Sequence, residues 1–160
     1  MRKIIPFILF AILTMVGCST LDCPLNNTVY TKYKLAGDIT QLTGSYLTIS
    51  TTKKDGEDSI LINKDENVDS FLLPVSYTGA EDILYFEVQD AELRTYKDTV
   101  TVSKDNNPHF ESIDCSPSYF HTITGVKTTH NLIDSIVINH KDVNFDATKV
   151  HFLIYFGSRD

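Results

Sequence analysis

Cysteine is the residue type with the most specific chemistry in this sequence, which contains three of them, Cys18, Cys23 and Cys115. A thiol can be acylated, pair in a disulfide, bind a metal or act as a nucleophile, and its surroundings decide among these fates. Cys18 differs from the other two because it directly follows the first apolar stretch of the chain.

Residues 1–17 are typical of a secretory signal peptide. A Met-Arg-Lys start is followed by thirteen uncharged residues, Ile4 to Val16, and then by the small residue Gly17. This run is too short to span a bilayer, which takes about 20 apolar residues. The Met-Val-Gly-Cys sequence that ends at Cys18 resembles the bacterial lipobox, whose cysteine is diacylated and becomes the mature N-terminus. We therefore predict a lipid on Cys18 and a short tether over residues 18–27, with an ordinary cleaved signal as the alternative.

If Cys18 carries lipid, Cys23 and Cys115 remain as an even pair in an oxidising compartment. We predict that they form a disulfide, which is usual in exported proteins. Closing a loop of this size would stabilise the fold by at most about 4–5 kcal/mol. Two separate buried thiols are the alternative.

The sequence predicts no metal site, no cofactor and no catalytic residue. Its five histidines lack the short His-x-x-x-His spacing of zinc sites. The alternating residues Asn63, Asp65, Asn67 and Asp69 resemble the start of a calcium loop, but Val68 and Pro74 occupy the positions that need Gly and Glu. Neither a Gly-x-Ser-x-Gly nucleophile motif nor a phosphate-binding loop is present. The histidines are His109, His121, His130, His140 and His151.

Three short motifs are candidate sites of covalent modification. Ser59, Thr99 and Ser135 each follow Asp and precede an aliphatic residue. This pattern resembles the acceptor for O-glycosylation in Bacteroidota. The alternative is that Asp before a β-branched run simply marks the start of a strand.

Charge excludes one class of partner. Residues 1–17 contain two basic residues and no acid, so the remaining chain carries a formal charge of about −9. Nucleic-acid binding depends on cationic contacts with phosphate, so we predict no nucleic-acid partner. The same charge argues against a polybasic membrane-binding patch.

The rest of the chain is patterned as short strands. Leu84, Phe86 and Val88 alternate with residues of the opposite face, and no window sustains a 3.6-residue period. Asp55-Gly56, between the β-branched run Tyr46–Thr52 and Ser59–Ile62, predicts a hairpin. Residues 63–67 are expected to form a loop, and residues 105–108 are expected to form a turn.

Two further segments predict where strands lie within their sheets. Pro74 interrupts the extended run Val68–Tyr77 and therefore favours an edge position. Val150–Phe156 is apolar on both faces and should be central or covered. The spacing of eight to ten strands predicts one domain over residues 28–160, an all-β antiparallel sandwich of immunoglobulin-like architecture.

One six-residue segment is repeated within the chain. Residues Asp58–Asn63 recur as Asp134–Asn139, 76 positions later, with one Leu-to-Val change. An internal duplication that produced two equivalent hairpins would explain the repeat. A shared pattern at strand starts is the alternative.

Three blocks carry a resemblance to a known group of proteins: residues 22–26, 109–117 and 151–156. Together they resemble a family of small uncharacterised Bacteroidota envelope lipoproteins with a domain of unknown function. The resemblance implies an envelope lipoprotein with a β-rich domain, and it implies no activity.

These observations favour a membrane-anchored, non-enzymatic binding or structural module. Its expected partners are the lipid bilayer, through acyl chains, and an envelope protein or glycan. The alternatives are an enzyme or enzyme subunit acting on envelope glycans or peptides, and a fimbrial or assembly component. In proteins of this group, charges just after the lipidated cysteine direct export to the cell surface. Asp22 is the only acid just after Cys18, which favours an outer-membrane location facing the periplasm over surface exposure.

Overall fold

The computed structural model describes residues 23, 27–52, 56 and 58–157. The predicted signal peptide and Cys18 lie outside these residues. All regular structure within the described residues is β-strand. The strands are β1 (Tyr30–Ala36), β2 (Tyr46–Thr52), β3 (Asp58–Glu66), β4 (Ser70–Pro74), β5 (Glu81–Gln89), β6 (Thr95–His109), β7 (Ser118–Thr128), β8 (Ile133–Ile138), β9 (Asp142–Val143) and β10 (Phe152–Phe156).

The strands form two packed sheets, which confirms the predicted β-sandwich. The four-stranded sheet has the order β4-β1-β10-β8, and the six-stranded sheet has the order β3-β2-β5-β6-β7-β9. One departure from the prediction is that β1 and β10 run parallel, whereas the other pairs are antiparallel.

The core lies between the two sheets and is centred on Tyr33. Its ring stacks on Phe71 at 5.1 Å and on Phe152 at 4.7 Å, and it meets Phe86 edge-on at 6.4 Å. Period-2 alternation places one residue in two on the inner face of each strand. Leu84, Phe86 and Val88, which were predicted to share one face of a strand, are all buried. Burial of these rings stabilises the sandwich, because large apolar surfaces are removed from water.

Several strand predictions are confirmed. β2 and β3 pair antiparallel, as the hairpin prediction requires, and Gly56 between them has a φ of +87°. β4 is an edge strand that ends at Pro74. β10 is central in its sheet, between β1 and β8.

Two predicted breaks are wrong. Residues 63–66 extend β3 rather than forming a loop, because an edge strand can expose polar side chains. Residues 105–108 extend β6 rather than turning. Pairing with β5 ends at Ser103, so Pro108 pairs with β7 alone. Since proline lacks an N–H, it is tolerated where one side of a strand has no partner.

The duplication hypothesis is also wrong. β3 pairs with β2 in the six-stranded sheet, but β8 belongs to the four-stranded sheet and pairs with β10. The two repeated segments are therefore not matching hairpins. Instead, each is an edge strand, one in each sheet.

A buried carboxylate ties the two sheets together. Asp98, on β6, is 2% exposed. It accepts hydrogen bonds from the backbone N–H groups of Asn131, Leu132 and Ile133 at 2.6–2.8 Å, and from the Thr129 hydroxyl. Burial alone would raise the pKa of Asp98, but these bonds outweigh it and hold the pKa below its ordinary value. Asp98 thus fixes the loop that carries the chain from β7 to β8.

Candidate ligand-binding cleft at the disulfide end

A cleft of about 490 Å³ opens at the end of the sandwich where β1 and β7 begin and β4 ends. Pro74 ends β4, and the following loop is held to Val29, the residue before β1, by the bond from Val75 N to Val29 O, 3.1 Å. The lining residues are Asn27, Thr28, Val29, Val75, Ser76, Tyr77, Thr78, Ser116, Pro117, Tyr119 and His121. The cleft therefore combines segments that are far apart in sequence.

Two tyrosines form one wall of the cleft. The rings of Tyr77 and Tyr119 stack with centroids 5.3 Å apart and an interplanar angle of 15°. Tyr77 comes from the β4–β5 loop and is 64% exposed, while Tyr119 lies on β7. The stack presents a broad aromatic surface beside neutral polar side chains.

A buried ion pair lies next to the cleft. Lys104 Nζ is 2.9 Å from Asp82 Oδ1, and the Lys104 side chain is 1% exposed. Ser76 donates a hydrogen bond to Asp82, and Lys104 donates another to Gly79 O at 3.1 Å. A buried ammonium group requires such partners, because loss of hydration is otherwise very costly. The pair therefore fixes the loop that carries Tyr77.

His121 and Asn106 extend this polar network. Asn106 donates to Gly79 O at 2.8 Å, and its carbonyl oxygen lies 2.8 Å from His121 Nδ1. Because that oxygen can only accept, Nδ1 must donate the proton. Burial, followed by the nearby charge of Lys104, lowers the pKa of His121 to about 4, against an opposing effect of Asp82. His121 is therefore a neutral hydrogen-bonding group at ordinary pH.

The predicted disulfide joins Cys23 to Cys115 beside this cleft. Cys115 lies in the loop that connects β6 to β7, two residues before Pro117. The bridge thus attaches the segment that precedes β1 to the same loop that lines the cleft. Sequence reasoning identified this pair correctly.

The histidines make separate local contacts. Within the described part of the chain, no group of three His, Cys, Asp or Glu side chains converges. His109 stacks on Phe120 at 4.2 Å, and the rings of His140 and His151 are 5.8 Å apart. In the segment considered for calcium, Asn67 instead accepts bonds from Gly44 N and Gln41 Nε2.

The three candidate glycosylation residues differ in their surroundings. Ser59 and Ser135 lie half-buried on the edge strands β3 and β8. Thr99 lies inside the six-stranded sheet, on β6 between β5 and β7. The aspartate of its motif, Asp98, is fully engaged in the hydrogen bonds described above.

Sequence reasoning missed the Asp82–Lys104 pair and the roles of Asp98 and His121. One signal was present, because Asp98 and Lys104 are in phase with Val100 and Val102, which face the core. A charge at an inward position of an alternating strand predicts a buried, paired group.

The fold and cleft define an all-β sandwich domain with a disulfide and a ligand-sized cleft. A family profile matches residues 46–156, and the chain belongs to that family, a family of unknown function (DUF6452). No curated protein and no solved structure matches the chain. In the described residues, no helix has the length and apolar character needed to cross a membrane.

Proposed function

We propose that the protein is a lipid-anchored, non-enzymatic binding module of a bacterial cell envelope, and that the cleft beside the disulfide binds an envelope glycan. In this proposal the chain is a Bacteroidota lipoprotein with acylated Cys18, located at the outer membrane facing the periplasm. The tyrosine stack of the cleft is the observation that carries the binding role.

The sequence supports the anchor. The cationic start, the short apolar run and the Gly17-Cys18 junction form a signal that ends at a cysteine. The disulfide uses the other two cysteines, so Cys18 has no cysteine partner within the chain. A cysteine with several acyl chains would hold the protein stably on a bilayer.

The chemistry of the cleft supports a glycan ligand. Sugar rings have apolar C–H faces that pack on aromatic rings, and hydroxyl groups that bond to neutral polar side chains. Tyr77 and Tyr119 supply the aromatic surface. Thr78 and Ser116 provide uncharged donors and acceptors at the same cleft.

The polar network favours binding over catalysis. The Ser76 hydroxyl donates a hydrogen bond to Asp82, and Asp82 is also paired with Lys104. His121 uses Nδ1 to donate to Asn106. A nucleophile would need a general base placed to remove its proton. Here the groups satisfy one another, which supports a rigid wall for a bound ligand.

A titration with soluble peptidoglycan fragments tests the ligand. We expect saturable binding, weakened at least tenfold in Tyr77→Ala and Tyr119→Ala, and largely retained in Tyr77→Phe because the ring remains. Tyr46→Ala is the matched control, since Tyr46 is 36% exposed and lies at the opposite end of the sandwich, paired with Gln89. Absence of binding, or an equal loss in Tyr46→Ala, would refute the glycan assignment.

Metabolic labelling with an alkyne fatty acid tests the anchor. Wild type should be labelled and Cys18→Ser should not. Cys23→Ser serves as the matched control and should remain labelled. Unlabelled wild type would remove the lipoprotein proposal.

A further inference from the structure

The loop between β6 and β7 exposes large apolar side chains. Ile113 is 98% exposed and Phe110 is 62% exposed. Both lie at the tip of the β6–β7 hairpin, residues 110–117. Exposed apolar side chains grouped at one projection indicate a contact surface.

This tip projects well beyond most of the six-stranded sheet. Pairing of β5 with β6 ends at Ser103, while pairing of β6 with β7 continues to His109 opposite Ser118. Six further residues in extended conformation cover about 20 Å. Tyr77 and Phe145, which are also exposed, lie against β7 of this hairpin through ring contacts with Tyr119 and Phe120. The end of the molecule therefore has an apolar tip with aromatic residues behind it.

The disulfide limits how far this tip can be from Cys18. Cys115 is two residues from Ile113 and is bonded to Cys23. Cys23 is five residues from Cys18. Five residues span at most about 18 Å when fully extended. An acyl group on Cys18 would therefore hold the tip at the bilayer surface.

We infer that the β6–β7 tip docks on the bilayer itself, with Ile113 and Phe110 inserted into the lipid interface as a second contact beside the acyl anchor. This inference rests on the proposed acylation of Cys18. Apolar side chains such as Phe110 and Ile113 suit the boundary between headgroups and acyl chains, where membrane-surface segments bury their apolar face. The tip also carries Glu111 and Asp114, so it suits a zwitterionic surface better than an anionic one.

Docking would orient the whole domain. A protein held by acyl chains alone can swing on its tether, whereas a second contact fixes the angle of the sandwich. Because the tether already holds the tip close to the surface, even a weak second contact is well populated. The cleft, which shares Ser116 and Pro117 with the tip, would open near the membrane.

Fluorescence in vesicles tests the inference, because the chain contains no tryptophan. Full-length acylated Ile113→Trp is reconstituted in phosphatidylcholine vesicles with and without brominated acyl chains. We expect a blue-shifted emission and at least twofold quenching by bromolipid, with less quenching in vesicles rich in phosphatidylglycerol. Phe110→Trp, a second probe at the tip, should behave alike.

Ile60→Trp is the matched control. Ile60 is also an exposed isoleucine, and it shares a cross-strand row with Ser50, Tyr85 and Thr99, eleven residues along the hairpin from Phe110. Its emission should not change. Quenching equal to that control would overturn the docking while leaving the anchor intact. A blue shift without bromolipid quenching would assign the tip to a protein contact and also overturn it. Absence of acyl mass on Cys18 would overturn both proposals.

Discussion

Replacing Asp98 with alanine should destabilise the domain strongly. The change removes the acceptor for three backbone N–H groups and one hydroxyl. Leu132 and Ile133 are buried, at 9% and 0% exposure, so water cannot readily replace the carboxylate. Each buried donor left without a partner costs about 1–3 kcal/mol. Relief from burying a charge offsets part of this cost.

The expected net loss for Asp98→Ala is about 3–5 kcal/mol, a large part of the stability of an ordinary domain. Equilibrium unfolding in urea, with the disulfide intact, should show a midpoint lowered by roughly 2 M. Asp105→Ala is the matched control, because Asp105 lies on the same strand but is exposed. It should change stability by less than about 0.5 kcal/mol.

The pH dependence provides an independent check. The folded pKa of Asp98 is lowered, so its contribution is present above the unfolded pKa and is lost as the pH falls through the folded value. Asp98→Ala should remove that acid-dependent loss. A loss of stability below about 1 kcal/mol in this variant would refute the role assigned to the carboxylate.

Three further predictions follow from the other buried or bridged groups. Removing the disulfide with the double variant Cys23→Ser/Cys115→Ser should lower the free energy of unfolding by up to about 4–5 kcal/mol, since the bridge links residues 92 positions apart; a wild-type urea midpoint that dithiothreitol does not change would contradict this. The free energy of unfolding should fall by up to roughly 3 kcal/mol as the pH falls from about 6.5 to 4, because the pKa of His121 is lowered to about 4 in the folded protein and the unfolded chain binds the proton more tightly. His121→Gln should flatten this dependence of stability on pH. Thr99 should be unmodified in native protein, because Asp98 is enclosed; a glycan on its peptide in mass mapping would contradict this.

Local patterns predicted much of the fold. Alternation located the inner face of β5, Pro74 located an edge strand and the apolar run of β10 located a central strand. These features depend on neighbours in sequence, so they are visible without tertiary structure. The two breaks predicted within β3 and β6 failed because strands with one unpaired side tolerate Asn, Asp and Pro.

The candidate cleft was beyond such patterns. It brings Ser76, His121 and Ser116 together with Asn27, and that assembly depends on the sheet order and on the disulfide. The parallel pairing of β1 with β10 is likewise set by long-range packing rather than by either strand. The cysteine pair was predictable because pairing is a matter of counting once Cys18 is assigned.

The intact mass of the protein purified from its native membrane tests the central claim most directly. We expect a chain that begins at Cys18, carries a diacylglyceryl group and is two hydrogens lighter because of the Cys23–Cys115 bridge. A chain without acyl groups, or one that begins at another residue, would contradict the account of a lipid-anchored module held with its disulfide end against the bilayer.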